Sequence, residues 1–247
     1  MSLRLLYGFH AVAARLRVAP QTVRELLVDA SRHDARMRQL LARAERAAVA
    51  ARAVDGERLD ALVGDRPHQG VVARVEALQQ ATSLDAVLDA TDGVPLLLGL
   101  DGVTDPHNLG AILRSADAAG AQAVFAPKDR AVGLTPVAAK AASGAADNVA
   151  YLMVTNMARA LAGLRERGIQ VVGAAGEATH SVFDVDLRGP CALVLGAEGA
   201  GLRRLVRASC DQLVRIPMMG SVESLNVSVA AGVLLFEALR QRQAPRP

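Results

Sequence analysis

The chain has 247 residues, of which 51% are hydrophobic and 2% aromatic, so it can bury one large or two smaller cores of Ala, Val and Leu, and an all-β protein is disfavoured. The basic excess lies at the N-terminal end, where residues 1–75 carry 13 Arg against 8 acidic residues, and this predicts an anionic partner. Without an apolar stretch of about 20 residues, a leader pattern or more than two cysteines, we predict a cytoplasmic protein with no membrane span and no metal site.

Residues 1–75 alternate helical and strand-like patterns, which predicts a small α/β domain that recognises the substrate. Arg32, Arg36, Arg43 and Arg46 can share one side of an Arg-rich helix that starts near Asp34. His68-Gln69-Gly70 is expected to form a turn beside the strand GVVARV. Because aromatic residues are few, an RNA partner would be recognised by its backbone charge and shape. The alternative is a solvated charged face and a plain turn.

Residues 76–95 carry four acidic residues and no Lys or Arg, which predicts an acidic, partly helical linker that nucleic acid would repel. From residue 96 to residue 247, apolar strands such as LLLGL and CALVLG alternate with helical segments. This pattern predicts a second α/β domain with a doubly wound, mostly parallel sheet covered on both faces. In such a sheet ligands bind beyond the carboxyl ends of the strands.

The first loop at that edge reads DGVTDPHNLGAILRSA, residues 101–116. Asn108 is predicted as a helix N-cap, and Leu109, Ile112 and Leu113 form a buried stripe. Gly110 and Arg114 would then lie four residues apart on a face away from the core, where a guanidinium can bind phosphate. The alternative is a simple cap and a surface Arg paired with Asp117.

The second loop, LGAEGAG at residues 195–201, contains three glycines, so its backbone N–H and C=O groups can face a ligand. It matches neither the phosphate-binding P-loop nor the dinucleotide-binding fingerprint. Glu198 would repel a phosphate but suits a cation, a hydroxyl or an amide. The alternative is an ordinary exposed Glu.

The third loop leads into the segment IPMMGSVESLNVSVAAGVLLFE, residues 216–237. Ser224 is predicted to cap a helix from Leu225 to about Gln241, with Asn226 in its first turn. This helix is apolar on nearly every side, which indicates burial or contact with a partner subunit.

These three motifs resemble, in order and spacing, those of the SpoU (TrmH-type) RNA 2'-O-ribose methyltransferases. The N-terminal segments YGFHAV and HQGVVARV resemble the ribosomal-protein-like substrate domain of a bacterial member that methylates a guanosine in the P loop of 23S rRNA, in the peptidyl-transferase region. The resemblance implies S-adenosylmethionine as cofactor, 23S rRNA as partner, a trefoil knot in the C-terminal sheet, and a homodimer formed through the C-terminal domain.

The resemblance also implies roles for individual residues. The implied catalytic residues are Asn108, Arg114, Glu198, Ser224 and Asn226. The implied cofactor-binding residues are Leu195, Gly196, Ile216, Met218, Ser224 and Leu225, and the implied RNA-binding residues are Arg32, Arg36, His68, Gln69 and Arg114. Since a guanidinium is very hard to deprotonate, we expect Arg114 to bind phosphate and stabilise a developing oxyanion. The base stays open: Glu198 is expected to orient Arg114 or Asn108, and the alternative is that Glu198 itself acts as the base.

Three other functions fit parts of the sequence. A ribose methyltransferase could act on another rRNA nucleotide or on tRNA. A non-catalytic ribosome-assembly factor could keep both domains but would not need Arg114, Glu198 and Asn226 together. A nucleotide-dependent oxidoreductase would fit a doubly wound sheet, but its glycine fingerprint is not evident.

Overall fold

The computed structural model describes residues 3–76 and 81–244, without the side chain of His10. The chain divides into two units, Met1–Gln80 and Ala81–Pro247. Residues 1–2, 77–80 and 245–247 lie outside the described residues, and 77–80 belong to the predicted linker at 76–95. The helix Leu84–Asp89 belongs to the second unit and buries Val87 and Leu88 in its core.

The first unit is the α/β domain predicted from the alternating pattern. Its sheet has the strand order β1-β4-β2-β3, in which β4 is antiparallel to β1 and β2, and β3 is parallel to β2. Helices α1 and α2 pack on one face of the sheet, and α3 packs on the other. The elements are β1 Leu3–Tyr7, α1 Phe9–Val18, β2 Val23–Asp29, α2 Ala35–Arg46, β3 Ala51–Val54, α3 Gly56–Val63 and β4 Val71–Glu76.

The second unit is the predicted doubly wound sheet, and every strand pairing in its described part is parallel. The strand order is β7-β6-β5-β10-β8-β11-β9. Its strands are β5 Leu96–Asp101, β6 Ala123–Pro127, β7 Ala150–Val154, β8 Gln170–Ala174, β9 His180–Ser181, β10 Cys191–Gly196 and β11 Gln212–Arg215. Its helices are α4 Leu84–Asp89, α5 Pro106–Ala119, α6 Pro136–Ala141, α7 Met157–Glu166, α8 Arg204–Ala208 and α9 Val227–Gln243.

Alternating side chains of β5 fill the two layers on either face of this sheet. Leu96, Leu98 and Leu100 pack with α5, α6 and α9, whereas Leu97 packs with α4 and α7. This double coverage explains why the strand reads as one continuous apolar run. No helix in the described part of the chain is long and apolar enough to span a bilayer. The trefoil knot implied by the resemblance stays a prediction.

The chain order of the strands reverses between β5 and β10, which lie side by side at the centre of the sheet. From β5 the chain moves outward through β6 and β7, and it then returns to the other side through β8 and β10. The register places Asp101, the last residue of β5, beside Gly196, the last residue of β10. Ligands of open α/β sheets bind at such a reversal point, so the loops that follow Asp101 and Gly196 are the place to look for a site.

Two predicted helix caps are wrong. Helix α5 begins at Pro106 and is capped by Asp105, whose carboxylate accepts a hydrogen bond from the His107 N–H at 2.9 Å, so Asn108 lies within the first turn. Helix α9 begins at Val227 and is capped by Asn226, whose Oδ1 accepts from the Ser228 N–H at 2.9 Å. Ser224 therefore lies outside the helix. Asn108 and Ser224 therefore do not cap a helix, and their side chains can form other contacts.

Gly110 is buried and not on a face away from the core as predicted, because helix α6 packs directly on it. A Cβ atom at position 110 would lie 2.3 Å from the Cβ of Ala141 and 2.7 Å from the carbonyl oxygen of Ala138. The missing side chain therefore admits a neighbouring helix and not a ligand. This contact fixes α5, which carries Asn108 and Arg114.

Gly110→Ala should lower the free energy of unfolding by about 1–3 kcal/mol, because the added methyl group must push α5 and α6 apart. The matched control is Gly163→Ala in α7, where a Cβ would meet no atom within 4 Å. There the higher helix propensity of Ala should stabilise the protein by up to about 1 kcal/mol. Chemical denaturation of both variants tests the prediction, and equal effects of the two substitutions would contradict it.

Candidate active site

Three of the predicted catalytic residues, Asn108, Glu198 and Asn226, meet at the start of α9. The side chain of Asn226 connects the other two. Its Nδ2 donates one hydrogen bond to Asn108 Oδ1 at 3.0 Å and another to Glu198 Oε1 at 2.9 Å. Glu198 Oε1 also accepts from the Val227 N–H at 3.3 Å. These bonds connect residues from the first turn of α5, from the loop after β10 and from the cap of α9. We call Asn108, Glu198 and Asn226 the amide–carboxylate cluster.

The hydrogen bonds determine the orientation of both amides in this cluster. Asn226 uses Oδ1 to accept from the N–H and the hydroxyl of Ser228, so its two Nδ2 hydrogens must point to Asn108 and Glu198. Asn108 accepts through Oδ1, and its Nδ2 forms no hydrogen bond with the described residues. The arrangement leaves the Nδ2 group of Asn108, with both of its hydrogens, available to an incoming oxygen atom.

Arg114 and Ser224 are exposed, and no hydrogen bond joins either of them to the cluster. Among the described residues, the Arg114 guanidinium forms no ion pair, so the alternative pairing with Asp117 does not occur. Glu198 therefore forms no hydrogen bond with Arg114 or Ser224, and it is linked to Asn108 only through the Asn226 amide. The expected role of Glu198 in orienting Arg114 or Asn108 stays a prediction.

The loop predicted to bind a cofactor is folded tightly on itself. The Gly201 N–H donates to the Ala197 carbonyl at 2.9 Å, and a Cβ atom at Gly196 would lie 2.0 Å from the carbonyl carbon of Gly201. Across the sheet edge, the segment after β11 presents Ile216, Met218 and Leu225, all partly buried. The loop of residues 195–201 carries one carboxylate, Glu198, and no basic side chain that could pair with a phosphate.

An ion pair between a buried carboxylate and a partly exposed guanidinium lies beside this loop and was not predicted. Asp101 is 1% exposed, and its carboxylate accepts from the Arg203 backbone N–H at 2.9 Å and from Arg203 Nε at 2.7 Å. The available signal was an acidic residue at the end of the apolar run LLLGL, where an unpaired charge would be costly to bury.

In the first unit, three of the predicted RNA-binding residues lie together. Arg32 precedes α2, contrary to the prediction that it lies on the helix, and its Nη1 donates to the Gln69 carbonyl at 2.5 Å. Its guanidinium also lies 4.7 Å from the centre of the Phe9 ring. His68 Nδ1 accepts from the Gly70 N–H at 3.0 Å, and its Nε2 lies 2.9 Å from Asp60 Oδ1. These contacts brace the turn, whereas the side chain of Arg36 is exposed.

The two cysteines are free thiols. Burial raises the pKa of the Cys191 thiol, and burial raises that of Cys210 to about 11. Cys191 is buried as expected, but Cys210 is only partly buried. The part of the chain that the structure describes holds no group of three or more His, Cys, Asp or Glu side chains placed to bind a metal ion.

Comparison with known proteins covers both units. The model of the SpoU rRNA methylase family matches residues 95–236, and the model described as RNA 2'-O ribose methyltransferase substrate binding matches residues 5–81. The 23S rRNA (guanosine-2'-O-)-methyltransferase RlmB of a Burkholderia species is 60% identical over 97% of both chains. The RlmB of Bordetella pertussis is 57% identical over 98% of this chain and 99% of its own.

Solved structures agree with these matches. The SpoU methyltransferase AviRb from Streptomyces viridochromogenes, crystallised with its cofactor AdoMet, superimposes with a TM-score of 0.65 at 30% identity, covering 97% of this chain and 90% of its own. The A. aeolicus TrmH/SpoU tRNA modifying enzyme superimposes with a TM-score of 0.54 at 32% identity, covering 61% of this chain and 77% of its own.

Asn226→Asp should make stability depend on pH, because it places a second carboxylate beside Glu198. Repulsion raises the pKa of the new pair in the folded state above its unfolded value, so the penalty is small below about pH 4.5 and develops as the pH rises towards neutrality. At pH 7.5 the variant should be about 1–3 kcal/mol less stable than the parent protein.

Denaturation at pH 4.5 and at pH 7.5 measures this penalty. The double variant Glu198→Gln/Asn226→Asp is the control, since a Gln amide can donate to the new carboxylate and should remove most of the pH dependence. A penalty that does not depend on pH, or that survives in the double variant, would refute the described contact.

Proposed function

The chain belongs to the SpoU rRNA methylase family, and on that premise we propose that it transfers a methyl group from S-adenosylmethionine to the ribose 2'-oxygen of a guanosine in 23S rRNA. The RlmB relatives match this chain over nearly its full length and nearly their own. This supports 23S rRNA over a tRNA as the substrate. We further propose that the target guanosine lies in the P loop of 23S rRNA, near the peptidyl-transferase centre. We also propose a cytoplasmic location, since bacterial rRNA is made there.

The amide–carboxylate cluster is the observation that carries the proposed chemistry. Methyl transfer requires the 2'-oxygen to be held in line with the methyl group, within a few tenths of an ångström. Asn108 Nδ2 is the free donor of the cluster, and we assign to it the binding of an oxygen atom of the target nucleotide. Glu198 and Asn226 hold that amide in one orientation, which would avoid the cost of ordering it during the reaction.

The cofactor would be held by the two loops beyond β10 and β11. Leu195 and Gly196 would contribute backbone groups, and Ile216, Met218 and Leu225 would contribute apolar contacts and backbone groups. S-adenosylmethionine supplies the electrophilic methyl group when bound. Ser224 is exposed between this segment and the cluster, and we assign its hydroxyl to the same pocket.

Arg114 is the cation that the proposal requires near the RNA. It lies on α5, six residues beyond Asn108 in the same helix, and is exposed without an ion pair among the described residues. A guanidinium can bind phosphate with two parallel N–H groups and can stabilise a developing oxyanion, but it cannot serve as a proton acceptor at neutral pH.

Arg114→Ala should lower single-turnover methylation of a 23S rRNA transcript by roughly 10²–10³-fold, because it removes charge stabilisation from the transition state. Arg114→Lys should restore little activity, since an ammonium group cannot reproduce the planar two-pronged contact. Calorimetric affinity for S-adenosylmethionine should be unchanged in both variants. Arg159→Ala, an exposed Arg on α7, is the control. If Arg114→Ala retained the activity of this control, Arg114 would have no role in the reaction.

The first unit is proposed to bind the rRNA backbone. Its match to the family's substrate-binding model and its basic excess support this role. Arg36 and Arg43 lie seven residues apart on α2, and both are exposed beside the buried stripe of Met37, Leu40 and Ala44. The turn of His68 and Gln69 is held in place by Arg32, so it can present a rigid backbone to RNA.

Arg36→Gln should weaken RNA binding and reduce the slope of log K against log salt by roughly 0.7–1, the value expected for one lost phosphate contact. The control is Arg58→Gln on α3, which packs on the opposite face of the same sheet. Filter binding of a 23S rRNA transcript at several salt concentrations measures both slopes. Identical slopes for the two variants would assign the RNA surface elsewhere.

The second unit is proposed to form a homodimer through α9. Val229 and Phe236, seven residues apart on this helix, are 51% and 48% exposed, so they form an apolar stripe that the unit itself does not cover. Leu235 is fully buried in the core. A substitution of Leu235 would therefore test folding and not association.

Phe236→Asp should convert the protein from a dimer to a monomer in light scattering at micromolar concentration, because it places a charge in the apolar contact. Phe183→Asp is the control, since Phe183 is 52% exposed and lies outside α9. A parent protein that is already monomeric, or a dimer that survives Phe236→Asp, would contradict this interface, and loss of the dimer in Phe183→Asp as well would show that the effect is not specific to α9.

A further inference from the structure

We propose that Asp101 and Arg203 are positioning residues for the methyl-transfer reaction, acting on Glu198 through the loop of residues 196–203. The proposal rests on the proposed function for its kinetic part. Neither residue belongs to the cluster, and the pair forms no hydrogen bond with it. The ion pair would act by setting the position of the Glu198 carboxylate.

The ion pair joins the two central strands at the reversal point of the sheet. Asp101 ends β5 and is paired in the sheet register with Gly196, which ends β10. Its carboxylate is fully buried, and both of its oxygens are used: Oδ2 accepts the Arg203 backbone N–H at 2.9 Å and Oδ1 accepts Arg203 Nε at 2.7 Å. Arg203 therefore has its backbone and its side chain fixed by one carboxylate.

This carboxylate fixes the far end of the loop that carries Glu198. The near end, at Gly196, is held by the pairing of β10 with β5. Within the loop, the Gly201 N–H bonds to the Ala197 carbonyl at 2.9 Å. Glu198 lies between these two fixed ends. Because the loop is short and is closed by the Gly201–Ala197 hydrogen bond, a displacement of Arg203 would also displace Glu198.

Asp101 also heads the segment that carries Asn108. Residues 102–105 follow it directly and lead to Asp105, which caps α5. One residue is thus linked through the chain to Asn108 and through hydrogen bonds to the Glu198 loop. The two acceptors of the Asn226 amide, 3.0 Å and 2.9 Å from Nδ2, depend on this arrangement.

The competing explanation is that the ion pair only stabilises the fold. Arg203→Lys distinguishes the two, because it keeps the charge and the backbone N–H bond but loses the guanidinium geometry. If the pair positions Glu198, kcat on a 23S rRNA transcript should fall by about tenfold or more, as expected for a displaced reacting group. The KM for RNA and the calorimetric affinity for S-adenosylmethionine should remain within about twofold.

A second readout does not depend on catalysis. The pH-dependent destabilisation caused by Asn226→Asp reports the separation of that carboxylate from Glu198. In the Arg203→Lys background this penalty should shrink to about half, because the two sites are coupled through the loop. Arg207→Lys is the control in both experiments, since Arg207 lies on α8, the helix that directly follows Arg203, and pairs with Glu177 at the exposed surface.

A pH penalty equal in the Arg203→Lys and Arg207→Lys backgrounds, or a kcat equal to that of the control, would overturn the proposal. If Arg203→Lys folds poorly, Asp101→Asn/Arg203→Gln replaces it, because two neutral amides can keep a hydrogen bond without leaving a buried charge. A parent protein that does not methylate the transcript would instead refute the proposed function, while the pH measurement would still decide the inference.

Discussion

The parallel pairing of β5 with β10 is the constraint on which the candidate site depends. Each of the two strands ends in a polar loop, and the register brings Asp101 and Gly196 to the same edge of the sheet. Helix α5 follows the first loop, and α9 packs against α5. The start of α9 therefore reaches the first turn of α5, where Asn226 meets Asn108. A shift of the register by one residue would separate the three side chains of the cluster and turn the buried leucines of β5 to the opposite faces.

The strands and their parallel arrangement could be predicted because their signal is local. LLLGL and CALVLG are apolar throughout, as expected for strands covered on both faces. The helix caps could not be assigned in the same way, since Asp105 and Asn108, like Ser224 and Asn226, are all residue types that cap helices well. At α5, Pro106 is suited to the first helical position and places the cap at Asp105. At α9, the cap residue is the one that also bonds to Glu198 and Asn108, and those partners are distant in the sequence.

Gly110 and Arg32 show a second limit of local reasoning. A glycine in a helix admits either a ligand or another helix, and the neighbours that decide the matter here, Ala138 and Ala141, lie about 30 residues further along the chain. An arginine adds to the net charge of the sequence whether its guanidinium is open to a partner or already bonded within the protein. Arg32 donates to the Gln69 carbonyl and to Asp34, where its hydrogen bond lowers the pKa of the Asp34 carboxyl. The sequence motifs identified the cluster residues, but not which of them would be in contact.

The hydrogen bond between Asn226 and Asn108 spans 118 residues of the chain. Parallel sheets with such distant contacts fold slowly, because the chain must order long segments before the contacts form. During synthesis the nascent chain can form β5, β6 and β7 early, but it cannot assemble the cluster before residue 226 has been made. A partly synthesised chain that already exposes its basic N-terminal unit to RNA would therefore be inactive. Catalytic competence arrives only when translation of the second unit is almost finished.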